Sequence, residues 1–262
     1  MSPLRRRPNP MPRFYRWQTN LVQMPAFGLA TAVCASLALA VSLVDRTGRT
    51  QHRIARVWAR LCVWISASKL TVRGVENLAR CPVAVYASNH TSYMDIPVVF
   101  AALPFQFRIL AKEELWRWPF IGWYLARSGQ VPIDQENRQG TQSSLGAAVK
   151  ALRAGMPLFI FPEGSRTPDG ELKEFQAGAA YLAIRAQVPI VPIALSGVYD
   201  LLPIHASHFY PGELALTACE PIETKGMTVR QTAELTARVR AAIEERLTQR
   251  EPVTTVSPAR VR

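Results

Sequence analysis

An α/β fold, with a mostly parallel sheet flanked by helices and an N-terminal membrane-associated helical segment, is what this 262-residue sequence predicts. Three observations carry that prediction. Beyond Ser68, short apolar runs alternate with helical stretches. The 24 residues from Leu21 to Val44 hold no charged side chain. The basic excess of the chain is gathered around that apolar segment. Short strands separated by helix-length segments are the pattern of a layered structure with a largely parallel, buried sheet.

The N-terminal segment comes first. Its core reads AFGLATAVCASLALAVSLV, long enough as a helix to cross roughly 30 Å of hydrocarbon. Arg5, Arg6, Arg7, Arg13 and Arg16 precede it, and Arg46, Arg49, Arg53, Arg56 and Arg60 follow. The apolar run exceeds the roughly 7–15 residues of a signal-peptide core, so cleavage is not expected. Basic residues balanced five against five suit a segment with both ends on one leaflet better than a single span, which the positive-inside rule would mark by asymmetry. In HRIARVWARLCVWI, Ile54, Val57, Trp58, Leu61, Trp64 and Ile65 recur at helical spacing opposite Arg53, Arg56 and Arg60. That is the composition of an interfacial helix, or of a helix packed on the protein's own core. The expected organisation is a membrane-anchoring helical module over 1–68, an α/β domain over 69–250 and a disordered tail over 251–262.

Charge narrows the function classes. The net of +12 invites a nucleic-acid reading, but residues 1–80 hold 13 Lys/Arg and 2 Asp/Glu, whereas 81–262 hold 18 and 17. A nearly neutral domain behind a basic collar points to an anionic bilayer surface and not to nucleic acid. Cys34, Cys62, Cys81 and Cys219 lie far apart without a C-x-x-C pair, so no disulfide framework or zinc knuckle is expected. His205-x-x-His208 reads as loop histidines, and no metal is expected.

Strands are expected at 70–73, 83–87, 107–111, 130–133, 158–161, 190–195 and 214–218, with helices at 96–103, 120–127, 140–154, 177–185 and 228–249. Four windows on this frame could carry chemistry. In PVAVYASNHTSYMDIPVVFAAL a strand runs into a polar turn and then a helix, so His90 sits at the carboxyl end of a strand, where open α/β sheets hold ligands. Asp95 follows five residues later. A histidine oriented by a carboxylate is a general-base unit; the same aspartate also suits a helix N-cap. In LFIFPEGSRTPDG a strand meets a loop carrying Glu163, Gly164, Ser165 and Arg166. Gly164 permits close backbone approach, and Arg166 offers a planar fork for a phosphate. The aromatic window AKEELWRWPFIGWYL, with Lys112, reads as an amphipathic core helix. The two prolines of VPIVPIAL suggest a sheet edge or an irregular strand lining a cleft. No G-x-S-x-G elbow occurs, which argues against a serine hydrolase.

These windows, in this order over about residues 70–220, resemble the glycerolipid acyltransferase family, and within it the 1-acyl-sn-glycerol-3-phosphate (lysophosphatidic acid) acyltransferases. NHTSYMD is similar to the family's Asn-His-x4-Asp block, PFIGW…VPID to its second, FPEGSRT to its third, and VPIVPIAL to its proline-containing fourth. The resemblance implies that His90 and Asp95 are catalytic. It implies that Glu163, Gly164, Ser165 and Arg166, with Lys173, Arg138 and Lys112, bind substrate. It further implies acyl transfer from an acyl-carrier-protein or coenzyme A thioester to a lysolipid hydroxyl, with no other cofactor, at the inner membrane with the domain facing the cytoplasm. Amides at the helix start after His90 are candidates for the oxyanion site. Two positions depart from the family's pattern: Gln135 replaces the arginine of Ile-Asp-Arg, and Gln176 the lysine of Phe-Lys-x-Gly. Another lysolipid, such as a lyso-ornithine lipid, therefore stays open as acceptor, as does a non-catalytic membrane-binding protein.

Overall fold

The computed structural model describes residues 13–45, 47–118, 121–133 and 138–249. The tail expected at 251–262, Arg46, Gln135 and the side chain of Arg138 lie outside what is described. Three helices open the chain: α1 (Arg13–Gln18), joined through a π-helical turn at Thr19–Gln23 to α2 (Met24–Val41), and α3 (Arg49–Ile65). The strands are β1 (Lys69–Arg73), β2 (Val85–Ser88), β3 (Arg108–Lys112), β4 (Val131–Ile133), β5 (Leu158–Ile160), β6 (Ile190–Ser196) and β7 (Glu213–Ala218). Between and after them lie α4 (Val75–Arg80), α5 (Asp95–Ala102), α6 (Ile121–Arg127), α7 (Arg138–Arg153), α8 (Gly178–Ala186), α9 (Val198–Leu201) and α10 (Thr232–Thr248).

The seven strands form one sheet in the order β1-β7-β6-β2-β5-β3-β4. All neighbours run parallel except β6 and β7. The central strands are buried on both faces, which is why β2, β5 and β6 read as unbroken apolar runs. Alternation along β2 still sorts the faces. Ala84 and Tyr86 enter the core under α3 and α5, while Val85 and Ala87 enter the core under α7, α8 and α10.

Two expectations are corrected. The prolines of VPIVPIAL do not mark an edge, because β6 lies in the middle of the sheet. Pro192 is tolerated because its carbonyl, accepting from Cys219 N–H, points to the β7 side, and the β7 ladder begins only at Ile193. Its missing N–H therefore falls just beyond that ladder. The aromatic window is not a core helix. It divides into the end of β3, a 3₁₀ turn at Glu113–Arg117 and α6, and it exposes Trp118, Ile121 and Trp123.

Helix α3 joins both environments foreseen for it. Its buried face is not the expected stripe but the small residues Ala55, Ala59 and Cys62, with Val63, which let it approach α5 closely within the core. Val57, Leu61 and Trp64 are exposed. Helix α2 lies along α3, tied by Trp58 Nε1–H to Thr31 Oγ1 at 3.0 Å and by Gln23 Nε2–H to the Ile65 carbonyl at 2.8 Å. Of its residues only Cys34 and Ala38 are buried, and Leu29, Val33 and Leu37 face outward. Among the described residues one helix, Arg16–Val41, is long and apolar enough by length and composition to cross a membrane, with a mean hydropathy of 1.9 over its most apolar window.

Because Ala59 is fully buried against the core, Ala59→Leu is expected to lower unfolding stability by about 1–3 kcal/mol through overpacking. Trp64→Ser on the exposed side should change it by less than about 0.5 kcal/mol. Denaturant unfolding in detergent checks both.

Candidate active site

Parallel pairing of β2 with β5, in the register Val85↔Leu158, Tyr86↔Phe159 and Ala87↔Ile160, places the loops after both strands side by side at their carboxyl ends. The His90 and Glu163 motifs, some seventy residues apart in sequence, meet there. Glu163 Oε1 accepts the His90 backbone N–H at 2.8 Å. Thr167 N–H donates to the His90 carbonyl at 3.1 Å, and Arg166 Nε–H to the Ser92 carbonyl at 3.2 Å. On the other side, Asn89 clamps the loop to β6: its side-chain amide donates to the Leu195 carbonyl at 3.0 Å and accepts the Leu195 N–H at 2.8 Å.

Within this frame the imidazole is held by Asp95 at one nitrogen and by Phe161 on one face. Asp95, wholly buried at the first turn of α5, lies with Oδ2 2.7 Å from His90 Nδ1. The same oxygen accepts the N–H groups of Thr91 and Ser92 at 2.7 and 2.8 Å. The Phe161 ring stacks on the imidazole with centroids 4.0 Å apart. Asp95 Oδ2 serves as an acceptor here, so in the neutral imidazole Nδ1 carries the proton and Nε2 is left with a lone pair. That is the geometry of a general base. Asp95 thus acts as helix-start acceptor and histidine partner at once.

Other expected residues fall around this centre in different ways. Arg166 is half-buried, and its guanidinium carbon lies 4.4 Å from the centroid of the Tyr93 ring. Among the described residues no carboxylate is within ion-pair distance of it. Burial lowers its pKa from the ordinary value, yet an arginine remains a cation. Lys173 Nζ–H donates to the Arg166 carbonyl at 2.9 Å and to Ser165 Oγ at 3.1 Å, bracing the same loop. Gly164 sits at φ 72°, the left-handed region its turn requires. Lys112 ends β3, exposed at the same edge of the sheet, two strands from β2.

The Acyltransferase family model matches residues 69–196. A 1-acyl-sn-glycerol-3-phosphate acyltransferase of Saccharomyces cerevisiae is 30% identical over 219 residues, 81% of this chain and 72% of the yeast protein. The chain belongs to the acyltransferase family. A chloroplastic 1-acyl-sn-glycerol-3-phosphate acyltransferase of Arabidopsis thaliana is 34% identical over 153 residues, and this chain spans 42% of that relative's length. A crystal structure of the 1-acyl-sn-glycerophosphate acyltransferase PlsC from Thermotoga maritima aligns with a TM-score of 0.72 at 25% identity, covering 89% of this chain and 98% of the other.

Two sets of expected site groups are engaged in hydrogen bonds within the protein. Glu163 is buried, with Oε1 on His90 N–H and Oε2 accepting Lys173 N–H at 3.4 Å. It staples the two acyltransferase motifs together. The amides at the start of the helix after His90 are also committed, those of Thr91 and Ser92 to Asp95 and that of Met94 to Ser92 Oγ at 3.1 Å. Gln176 lies beside the third motif, its backbone N–H on the Pro162 carbonyl. Sequence reasoning overlooked Phe161 and Asn89 as supports of the histidine. Their signal was adjacency, since each directly borders a motif residue at the end of a strand.

Burial pushes the Glu163 carboxyl up to about 7 despite its hydrogen bonds to the amides of His90 and Lys173. A carboxyl whose folded value exceeds its unfolded value of about 4.3 makes the fold lose stability as pH rises from that value through about 7. Glu163→Gln should remove this slope. It should also cost about 1–3 kcal/mol at pH near 5, because its NH₂ group opposes an N–H that Glu163 accepts. Urea midpoints measured across that pH window test both expectations.

Proposed function

We propose that this protein moves a fatty acyl group from an acyl thioester to the free sn-2 hydroxyl of 1-acyl-sn-glycerol-3-phosphate, giving phosphatidic acid. The observation that carries the reading is His90, with Nδ1 committed to buried Asp95 and Nε2 left as the base, beside Arg166, which has no ion-pair carboxylate among the described residues and is bonded to the adjoining loop. The yeast relative and the Thermotoga maritima structure bear names of that activity. In this reading His90 Nε2 takes the hydroxyl proton as the oxygen attacks the thioester carbonyl. The C–S bond then breaks, and the thiol leaves with the proton returned from the imidazolium. Asp95 stabilises that imidazolium. Arg166 supplies the planar cation for the acceptor phosphate, and Lys112, at the same sheet edge, is a second cation for it. The co-substrate is an acyl-carrier-protein or coenzyme A thioester.

The acceptor is a bilayer lipid, and the α2–α3 pair supports attachment to a single leaflet. Helix α3 belongs to the core of the catalytic domain, and α2 is tied to it near the start, while Ser42 just past its end accepts from Arg127 at 3.2 Å. A span by α2 would have to break these contacts, whereas a dip keeps them. The expected seat is the cytoplasmic face of the inner membrane, where a soluble donor arrives.

Turnover of a lysolipid panel tests the chemistry. His90→Ala should lower kcat by about 10²–10⁴-fold, and Asp95→Asn by up to about 10⁴-fold. Product from a lyso-ornithine lipid but none from lysophosphatidic acid would overturn the acceptor and point to Gln176 as its cause. For attachment, tags at residues 1 and 262 in sealed oriented vesicles should be cleaved from the same side.

A further inference from the structure

A second cationic feature lies at the opposite end of the domain. His90 follows the carboxyl end of β2, whereas the turn Pro104–Gln106 precedes the amino end of β3. Between that turn and the first two turns of α3 is a cleft of about 310 Å³ lined by Arg49, His52, Arg53 and Arg56. Its walls are fixed. Arg56 donates through a terminal nitrogen to the Pro104 carbonyl at 3.2 Å, and Gln106 Nε2–H to the Thr47 carbonyl at 3.2 Å. His52 Nε2 lies 3.0 Å from the Phe105 carbonyl. A carbonyl only accepts, so this nitrogen carries the proton.

Three arginines therefore line one cleft. Among the described residues no Asp or Glu forms an ion pair with Arg49, Arg53 or Arg56. Arg56 Nε is buried without a hydrogen-bond partner. The nearby acid, Asp45, is spent on the amides of Thr47 and Thr50 and on the Thr47 hydroxyl. It closes the first turn of α3, so an anion in the cleft would be held by the arginines and not by the helix end. Like charges gathered at a partly desolvated site are stable when an anion offsets them, and a guanidinium fork matches a phosphate.

Position identifies the source of that phosphate. Arg49, Arg53, Arg56 and Arg60 form one row along α3, and the next row is the exposed set Val57, Leu61 and Trp64. The outward face of α2 adds Leu29, Val33 and Leu37 beyond it. An apolar face bordered by a line of arginines is the arrangement of an interfacial helix, with cations at headgroup height. We propose that the Arg49–Arg53–Arg56 cleft binds the phosphate of an anionic membrane phospholipid, at a site separate from the acceptor. The inference rests on the single-leaflet attachment proposed above, and not on the chemistry at His90.

The test is binding, read by co-sedimentation in the His90→Ala protein, so that its failure leaves the catalytic reading untouched. The probe is vesicles of phosphatidylglycerol in phosphatidylcholine, about one part in three, and each surface arginine is expected to contribute roughly fivefold. Arg53→Gln should weaken partitioning by about fivefold, and the Arg49→Gln, Arg53→Gln, Arg56→Gln triple on the order of a hundredfold. The decisive variant is the corresponding triple change to lysine, which keeps the charge and loses the forks. A built site predicts a loss of about tenfold. Lysine-variant binding equal to that of the parent would mean a diffuse field and overturn the proposal. Inorganic phosphate that binds the protein at matched ionic strength without weakening vesicle partitioning would also overturn it, by making the cleft's ligand a soluble ion. Thermal unfolding of each variant confirms that the fold survives.

Discussion

Asp95 has no contact with solvent, yet its Oδ2 gathers the Nδ1–H of His90 and the backbone N–H groups of Thr91 and Ser92. Burying a carboxylate is costly unless donors surround it. This one therefore forces the turn between β2 and α5 into a single shape, with the imidazole as one of the donors. The orientation of the imidazole and the start of the helix are one event. Asn89 and Glu163 extend the constraint outward, the first to the backbone of β6 and the second to the loop after β5. Loss of any of these bonds would leave a buried polar group unpaired, so the loop is held from every neighbouring strand.

That rigidity contrasts with the surface proposed to meet the membrane. Helix α3 uses its smallest residues to pack on α5 and leaves larger ones, Val57, Leu61 and Trp64, outside. In water this distribution is wasteful, since the residues with most to gain from burial remain exposed. It becomes economical when lipid takes the place of water on that side. The catalytic core and the lipid-facing helices then share α3 as a wall. On the proposed membrane attachment, no linker is needed between the helices and the α/β domain, and the orientation of the domain toward the bilayer is set by packing.

Much of the frame was legible before the structure. All seven strands overlap the runs that predict them, and the central β2, β5 and β6 are unbroken apolar segments because the sheet is covered on both faces there. Pro192 was misread as an edge signal. Its effect depends on which neighbour its missing N–H would face, and that is a property of the β6–β7 register and not of local sequence. The α3 stripe was misjudged for a related reason: hydrophobic size locates an apolar face, but alanines pack helices closely. The family resemblance ties Glu163 to the substrate. Only the parallel placement of β2 beside β5 reveals that two backbone amides claim it.

By itself the sequence determined the α/β class and the basic collar around an apolar helix; it offered Asp95 either as partner of His90 or as a helix cap, and only the family resemblance implied the partner. Tertiary structure decided what lies across strands. It made Glu163 a staple, withdrew the Thr91 and Ser92 amides from the reacting centre, and turned α3 into part of the core. The physical reason is range. Periodicity and short turns act over one or a few helical turns and are written in consecutive residues. The partners of Glu163, Asn89 and Pro192 are set by strand order, which depends on how the whole chain closes its core.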